Sequence, residues 1–336
     1  MPELAAATWV GSARSLFPGI LASVIVAIAA AFLNEHYGAP AMLFALLLGL
    51  SFKFLSEDGP CLPGILTSST TILRIGVALL GFRITTDQLV ALGPSALAVV
   101  FTAVVCIIGL GLLLSRLLGL DWKLGLLTGC SVGICGAAAA MTISALLPKS
   151  EETSRWTLFT VVGVTSLSTL AMIIYPILAS FTGLDSHDTG FFLGATIHDV
   201  AQVMGAGYAV SDSTGDTAAL TKMIRVSMLV PVAFVISLAV SDKVGRIGSI
   251  GKSLPWFLVL FVAFATASSL KLVPEAMLTV MSDASRWCLI VGIAAMGMRT
   301  SFKDVLGIGP RAILLLCAET LALAILILCA IFLRVS

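Results

Sequence analysis

The 336-residue chain is 59% hydrophobic and 11% charged, less than half the roughly 25% charge of a soluble domain, which excludes an ordinary soluble fold. Its 19 basic and 18 acidic residues leave a net charge of +1, and without a basic stripe or a nucleic-acid motif, nucleic acid is not an expected partner. Apolar runs long enough to cross a hydrocarbon core of about 30 Å recur from end to end with short polar gaps, so the expected fold class is an all-α polytopic membrane protein.

Eleven spans are predicted, at approximately 16–33, 39–55, 64–82, 89–115, 122–147, 154–181, 188–210, 218–240, 254–271, 280–298 and 309–333. The first is too long for a typical signal-peptide core and runs into a polar turn, so it reads as a membrane helix. The third, ILTSSTTILRIGVALLGF, places Arg74 near its middle. A central arginine costs about 2.5–3.5 kcal/mol on insertion scales, so it needs a partner or a wet cavity. With Thr70 one turn away, its planar guanidinium suits an oxyanion or a carboxylate.

The fifth span contains LLTGCSVGICGAAAAMTI, where Gly129, Cys130, Ser131, Gly133, Ile134, Cys135 and Gly136 fill the middle of an apolar run. Glycine costs about 1 kcal/mol against alanine within a helix, so four glycines here, counting Gly125, need a cause. Close helix packing through small residues is one. An interrupted helix whose free amides and half-helix N-terminus face an anion, with Ser131 as a further donor, is the other.

The seventh span carries GATIHDVAQVMGAG. His198 and Gln202 share a helical face and Asp199 points about 100° away; such groups in a span mark substrate contact or an ion route. The eighth holds Lys222 and Arg225 on one face, near enough to its start to snorkel to the interface, while Arg225, as the counterpart of Arg74 in one repeat register, is also a substrate-binding candidate. Glu319 is the acidic residue deep in the eleventh, as proton carrier or arginine partner. The coupling candidates are thus His198, Asp199 and Glu319. No cofactor and no metal site is expected: His36 and His187 read as loop residues, leaving too few converging ligands. Ser131 or Cys135 with His198 could be imagined as a nucleophile and base, but no spacing supports an enzyme, and no GxxxxGK motif marks a primary pump.

Two registers of internal repetition compete. A shift of 216 aligns residues 76–96 with 292–312, including Arg83 on Arg299. A shift of 151 pairs five spans with five and places Thr70 and Arg74 on Thr221 and Arg225. Either implies inverted halves. The second is preferred, giving one transporter unit, residues 1–336, with repeats 39–181 and 188–333 after an extra helix 16–33. Lysines and arginines on the N-terminal side number ten (Arg14, Lys53, Arg116, Lys123, Lys243, Arg246, Lys252, Arg299, Lys303, Arg311) against six opposite (Arg83, Lys149, Arg155, Lys271, Arg286, Arg334). That excess favours a cytoplasmic N-terminus.

Together LRIGVALLGFR, TGCSVGICGAAA and GATIHDVAQVMGAG resemble signature segments of the bacterial sulfate exporter family, within the bile-acid/sodium and sodium/proton transporter-like superfamily. The resemblance covers residues 16 to 333. It implies two interrupted helices crossing at the bilayer midplane, a scaffold or dimerisation domain, a homodimer and elevator-type motion in the bacterial inner membrane. It also implies export of a small inorganic anion, sulfate or sulfite, coupled to a proton or sodium ion. A transporter of a small organic carboxylate, using the same cationic site, and an uncoupled channel-like or regulatory membrane protein are the alternatives. Span 10 offers glycines only towards its end, at Gly292 and Gly297, so the second interrupted helix is open between it and the more polar span 7.

Overall fold

The computed structural model describes residues 2–37, 41–83, 86–148, 150–240, 256–299 and 310–335, which are helical with short connections and no strand among them. Lys149, Lys243, Arg246, Lys252 and Lys303 of the orientation count, and Gly309 of the repeat alignment, lie outside the described residues. In chain order the helices are α1 Pro2–Tyr37, α2 Ala41–Ser51, α3 Leu62–Thr67, α4 Leu73–Leu80, α5 Thr86–Leu117, α6 Trp122–Gly133, α7 Ala137–Leu146 and α8 Glu151–Thr182. There follow α9 Ser186–Thr196, α10 Val200–Val210, α11 Asp212–Ser227, α12 Leu229–Val240, α13 Trp256–Ser269, α14 Glu275–Arg299 and α15 Pro310–Val335. Each of the eleven apolar runs falls on one helix or on a consecutive pair. Seven helical stretches among the described residues are long and apolar enough to cross a membrane, and α2, α7, α10 and α13 are shorter apolar helices.

The chain divides into two compact units. The first comprises residues 1–86, 208–211 and 260–300, and so contains α1 to α4 and α14. A five-residue π turn, Ser68–Ile72, joins α3 to α4. α4 buries Leu73, Gly76, Val77 and Leu80, and packs on α14, where the Ser285 hydroxyl donates to the Gly76 carbonyl at 2.7 Å. At the end of α14, Arg299 Nη1 donates to Ser69 Oγ at 2.9 Å.

The second unit comprises residues 87–207, 212–259 and 301–336, and so contains α6 to α9, α11, α12, α15 and most of α5 and α10. Polar residues start its helices in the expected way: Asp121 accepts from the Lys123 amide at 2.8 Å, Ser150 from Thr153 at 3.0 Å and Asp185 from Asp188 at 2.7 Å. These side chains satisfy amides that have no partner inside the helix.

Among the described residues, two spans are each interrupted by three non-helical residues, while α5 also kinks at Gly93 (φ +77°, ψ +159°). α6 stops at Gly133 and α7 starts at Ala137; α9 stops at Thr196 and α10 starts at Val200. α14, on the tenth span, is one continuous helix, so span 7 holds the second interruption. His36 and His187 are helical rather than in loops: His36 sits in the last turn of α1 and His187 in the first turn of α9.

Candidate functional site

The first break is built by Ile134, Cys135 and Gly136. Ile134 leaves the helical region at φ −112°, ψ −83°, and Gly136 takes φ +63°, ψ −126°. That combination belongs almost wholly to glycine, and it re-aims the chain so that α7 begins one residue later. The Gly136 amide donates back to the Ser131 carbonyl at 2.8 Å, which closes the turn. Gly125 and Gly129 serve packing instead. A Cβ on Gly129 would stand 3.0 Å from Ile108 Cα, and one on Gly125 would collide with the Gly111 carbonyl of α5. Close packing and a helix interruption are therefore both present, at different glycines.

An interruption leaves carbonyls at the end of one half-helix and amides at the start of the next. Lys222 and Arg225 of α11 take up the carbonyls. Arg225 Nε and Nη2 donate to Gly133 O at 3.0 and 2.9 Å, Nη2 also to Val132 O at 2.6 Å, and Nη1 to Gly194 O and Ile197 O at 3.3 and 3.2 Å. Lys222 Nζ donates to Ile134 O and to Ile197 O, each at 2.9 Å. Each cation thus bonds carbonyls of both breaks. The expectation that the pair snorkels is corrected: Arg225 is 1% exposed and Lys222 fully buried. α11 starts at Asp212, six residues before the predicted span, which moves both residues into its interior turns.

The amide ends differ between the breaks. At α10, Asp199 Oδ1 accepts from the Ala201 amide at 2.9 Å, so the helix start carries its own carboxylate. At α7, Gly136 has no side chain to cap with, and Ala137 and Ala138 are part-exposed. Around the second break, the Asp199 amide donates to Ser168 Oγ at 3.0 Å, and Gln202 Nε2 donates to Thr169 Oγ1 at 2.9 Å and, at 3.4 Å, to the Thr165 carbonyl, all on α8. His198 Nε2 and Thr320 Oγ1 of α15 are hydrogen-bonded at 3.0 Å. Next to Thr320, Glu319 Oε1 accepts from Thr128 Oγ1 of α6 at 2.8 Å.

The second unit therefore brings together Gly129 to Gly136, His198, Asp199, Gln202, Arg225 and Glu319. Ser131 is buried and donates within α6, to Leu127 O at 2.6 Å; Cys130 and Cys135 are buried with free thiols. Arg74 and Thr70 belong to the first unit. The apolar side of α4 turns inward and leaves Arg74 exposed, contrary to the interior position expected for it, while Thr70 donates one turn back to Leu66 O at 2.7 Å. Asp185, His187 and Asp188 hold their ligand atoms within 4.8 Å of one another at the start of α9, and Asp185 already caps that helix. Lys222, Thr128, Ser168, Thr169 and Thr320 were not among the predicted site residues. For Lys222 the signal was present in its three-residue spacing from Arg225; the hydroxyls of α8 and α15 are ordinary within apolar helices and carry none.

A family model described as "Conserved hypothetical protein 698" matches residues 18–316. The chain belongs to this family. Its relatives include a UPF0324 membrane protein of Chlorobaculum tepidum, 52% identical over 315 residues, covering 93% of this chain and 88% of the relative. A UPF0324 membrane protein of Rhizobium meliloti is 51% identical over 318 residues, covering 94% and 92%. The UPF0324 membrane protein TauZ of Paracoccus denitrificans is 50% identical over 321 residues, covering 94% and 95%. With these relatives and its apolar helices, the chain is a multi-pass membrane protein.

Proposed function

We propose that the protein is a secondary transporter of a small inorganic anion of the sulfate or sulfite class, working by elevator-type alternating access in the bacterial inner membrane. The observation that carries this reading is the meeting of two interrupted helices at Lys222 and Arg225. Interrupted helices whose ends face a substrate are the usual construction of secondary transporters. The charge balance supports an anion. Each half-helix end carries about half an elementary charge, so the two carbonyl ends and the two amide ends cancel. Lys222, Arg225 and Asp199 then leave a balance of about +1 around the breaks. The amides of Ala137 and Ala138, at a helix start without a side-chain cap, are the favoured place for the anion. The second unit, which holds both breaks, is the carrier in this reading, and a coupling ion is handled by His198, Asp199 or Glu319.

Purified protein should be stabilised against heat by sulfate or sulfite. A ligand present at 100 times its Kd adds about 2.7 kcal/mol, a readily measured rise in Tm. Thiosulfate and small carboxylates complete the panel, with flux into proteoliposomes measured for the best ligand. Arg74→Gln, tested in the same assay, decides whether the first unit contributes to binding. Stabilisation by carboxylates alone would move the substrate to organic acids, and a panel without any response would overturn the reading.

A further inference from the structure

We infer that Glu319 is the group that binds and releases a coupling proton, with Thr128 as its switching partner. This rests on the transporter reading and names the residue that reading leaves open. Glu319 is fully buried on α15, and its Oε2 has no hydrogen-bond partner among the described residues. Its Oε1 meets the Thr128 hydroxyl at 2.8 Å, and the same hydroxyl lies 3.0 Å from Leu124 O and 3.3 Å from Gly125 O. A hydroxyl has one hydrogen and two lone pairs. With Glu319 ionised, Thr128 donates to Oε1. When Oε1 takes up a proton from a hydronium ion, its new O–H donates to Thr128 Oγ1, and the threonine hydrogen swings to the Leu124 carbonyl. One O–H bond of the donating hydronium ion breaks and leaves water, one O–H bond forms on Oε1, one hydrogen bond reverses, and neither form leaves Oε1 unpaired. The chamber is shaped for a carboxyl: a Cβ on Gly111 of α5 would stand 2.6 Å from Oε1.

Among titratable and charged groups on the elements packed against it, Cys130 of α6 faces Glu319. His198 is engaged by neighbouring Thr320, and Lys222 and Arg225 are turned to the break carbonyls. Asp199 is committed to the start of α10. Through Thr128 and Thr320, adjacent residues of α15 reach α6 and the second break respectively, so a change at Glu319 is felt at both interrupted spans.

Infrared difference spectroscopy of the full chain in nanodiscs, taken between acid and alkaline pH, tests this without any substrate. Among the carboxyl C=O bands that grow as pH falls, one component is expected in the parent and in Asp199→Asn and should be missing in Glu319→Gln. Thr128→Val should shift that band, and Thr128→Ser should leave it in place. Glu319→Asp, with the band displaced, serves if the glutamine variant does not fold. In proteoliposomes, Glu319→Gln should lose the sulfate-driven pH change that the parent gives. A band pattern in Glu319→Gln identical to that of the parent, or a pH change that persists there, overturns the inference. If no anion binds the parent, the transporter reading fails, and the infrared result still judges Glu319 alone.

Discussion

Gly136 shows how a single backbone angle decides where a membrane helix stops. At φ +63°, ψ −126°, a side chain is strained whatever the space around it, and residues held in such regions cost about 1–3 kcal/mol. A Cβ there would also press on Val164 Cγ1 at 3.0 Å. Gly136→Ala should therefore lower the melting temperature and abolish anion-dependent stabilisation. Gly133, three residues earlier, is helical, and a Cβ would meet Val104 O at an ordinary 3.5 Å. Gly133→Ala should melt close to the parent, which makes the pair a matched comparison by thermal scan. Similar losses in both variants would mean that the turn is not held by the angle at Gly136. From residue types alone the glycines of TGCSVGICG looked equivalent; what separates them is a dihedral angle and the distance to α5.

At the level of elements, two breaks and one cationic helix form a mutually dependent set. Arg225 gives donors to four carbonyls, those of Val132, Gly133, Gly194 and Ile197. Removing one partner from a buried charged arrangement costs about 3–5 kcal/mol. Arg225→Met is expected to destabilise on that scale, measured by thermal scan in detergent. Arg225→Lys keeps the charge but not the planar fork, and should recover only part of the loss. Equal stability of all three proteins would remove Arg225 from the scaffold of the breaks. Much of this arrangement was legible: the run of apolar segments marked the helices, and the polar content of GATIHDVAQ made span 7 one of two candidates for the second break. The part played by Lys222 was not, because hydropathy placed the start of its span too late and made it look like an interface residue; the sequence marks Arg225 as a substrate-site candidate but not as the donor that ties the two breaks together. Arg74 misled for the opposite reason. Its depth in an apolar run was read as burial, yet the period of α4 turns it outward, and a run of hydropathy does not say which face is inside.

At the scale of the whole molecule, the parity of crossings can be tested. Each interrupted pair contains 22 helical residues, 12 and 10 in α6 and α7, 11 and 11 in α9 and α10. At 1.5 Å per residue that is about 33 Å of helix, enough for a core of about 30 Å, so each pair is expected to complete one crossing. Eleven crossings from a cytoplasmic N-terminus put Ser336 on the opposite side. That orientation is the expectation from the sequence count of ten basic residues against six. Green fluorescent protein fused after Ser336 should then be dark, and alkaline phosphatase fused there should be active. If both interrupted pairs turned back as re-entrant hairpins, nine crossings would give the same answer, so the terminal fusion tests orientation and odd parity together. Fusions between Pro148 and Ser150 separate the cases. With α6 and α7 crossing, phosphatase there is active; with a hairpin it is silent. A fluorescent terminal fusion combined with a silent internal one would mean either an external N-terminus with all eleven spans crossing, or a cytoplasmic N-terminus with α6 and α7 entering and leaving on the same side; phosphatase fused between Leu118 and Leu120, active in the first case and silent in the second, separates the two.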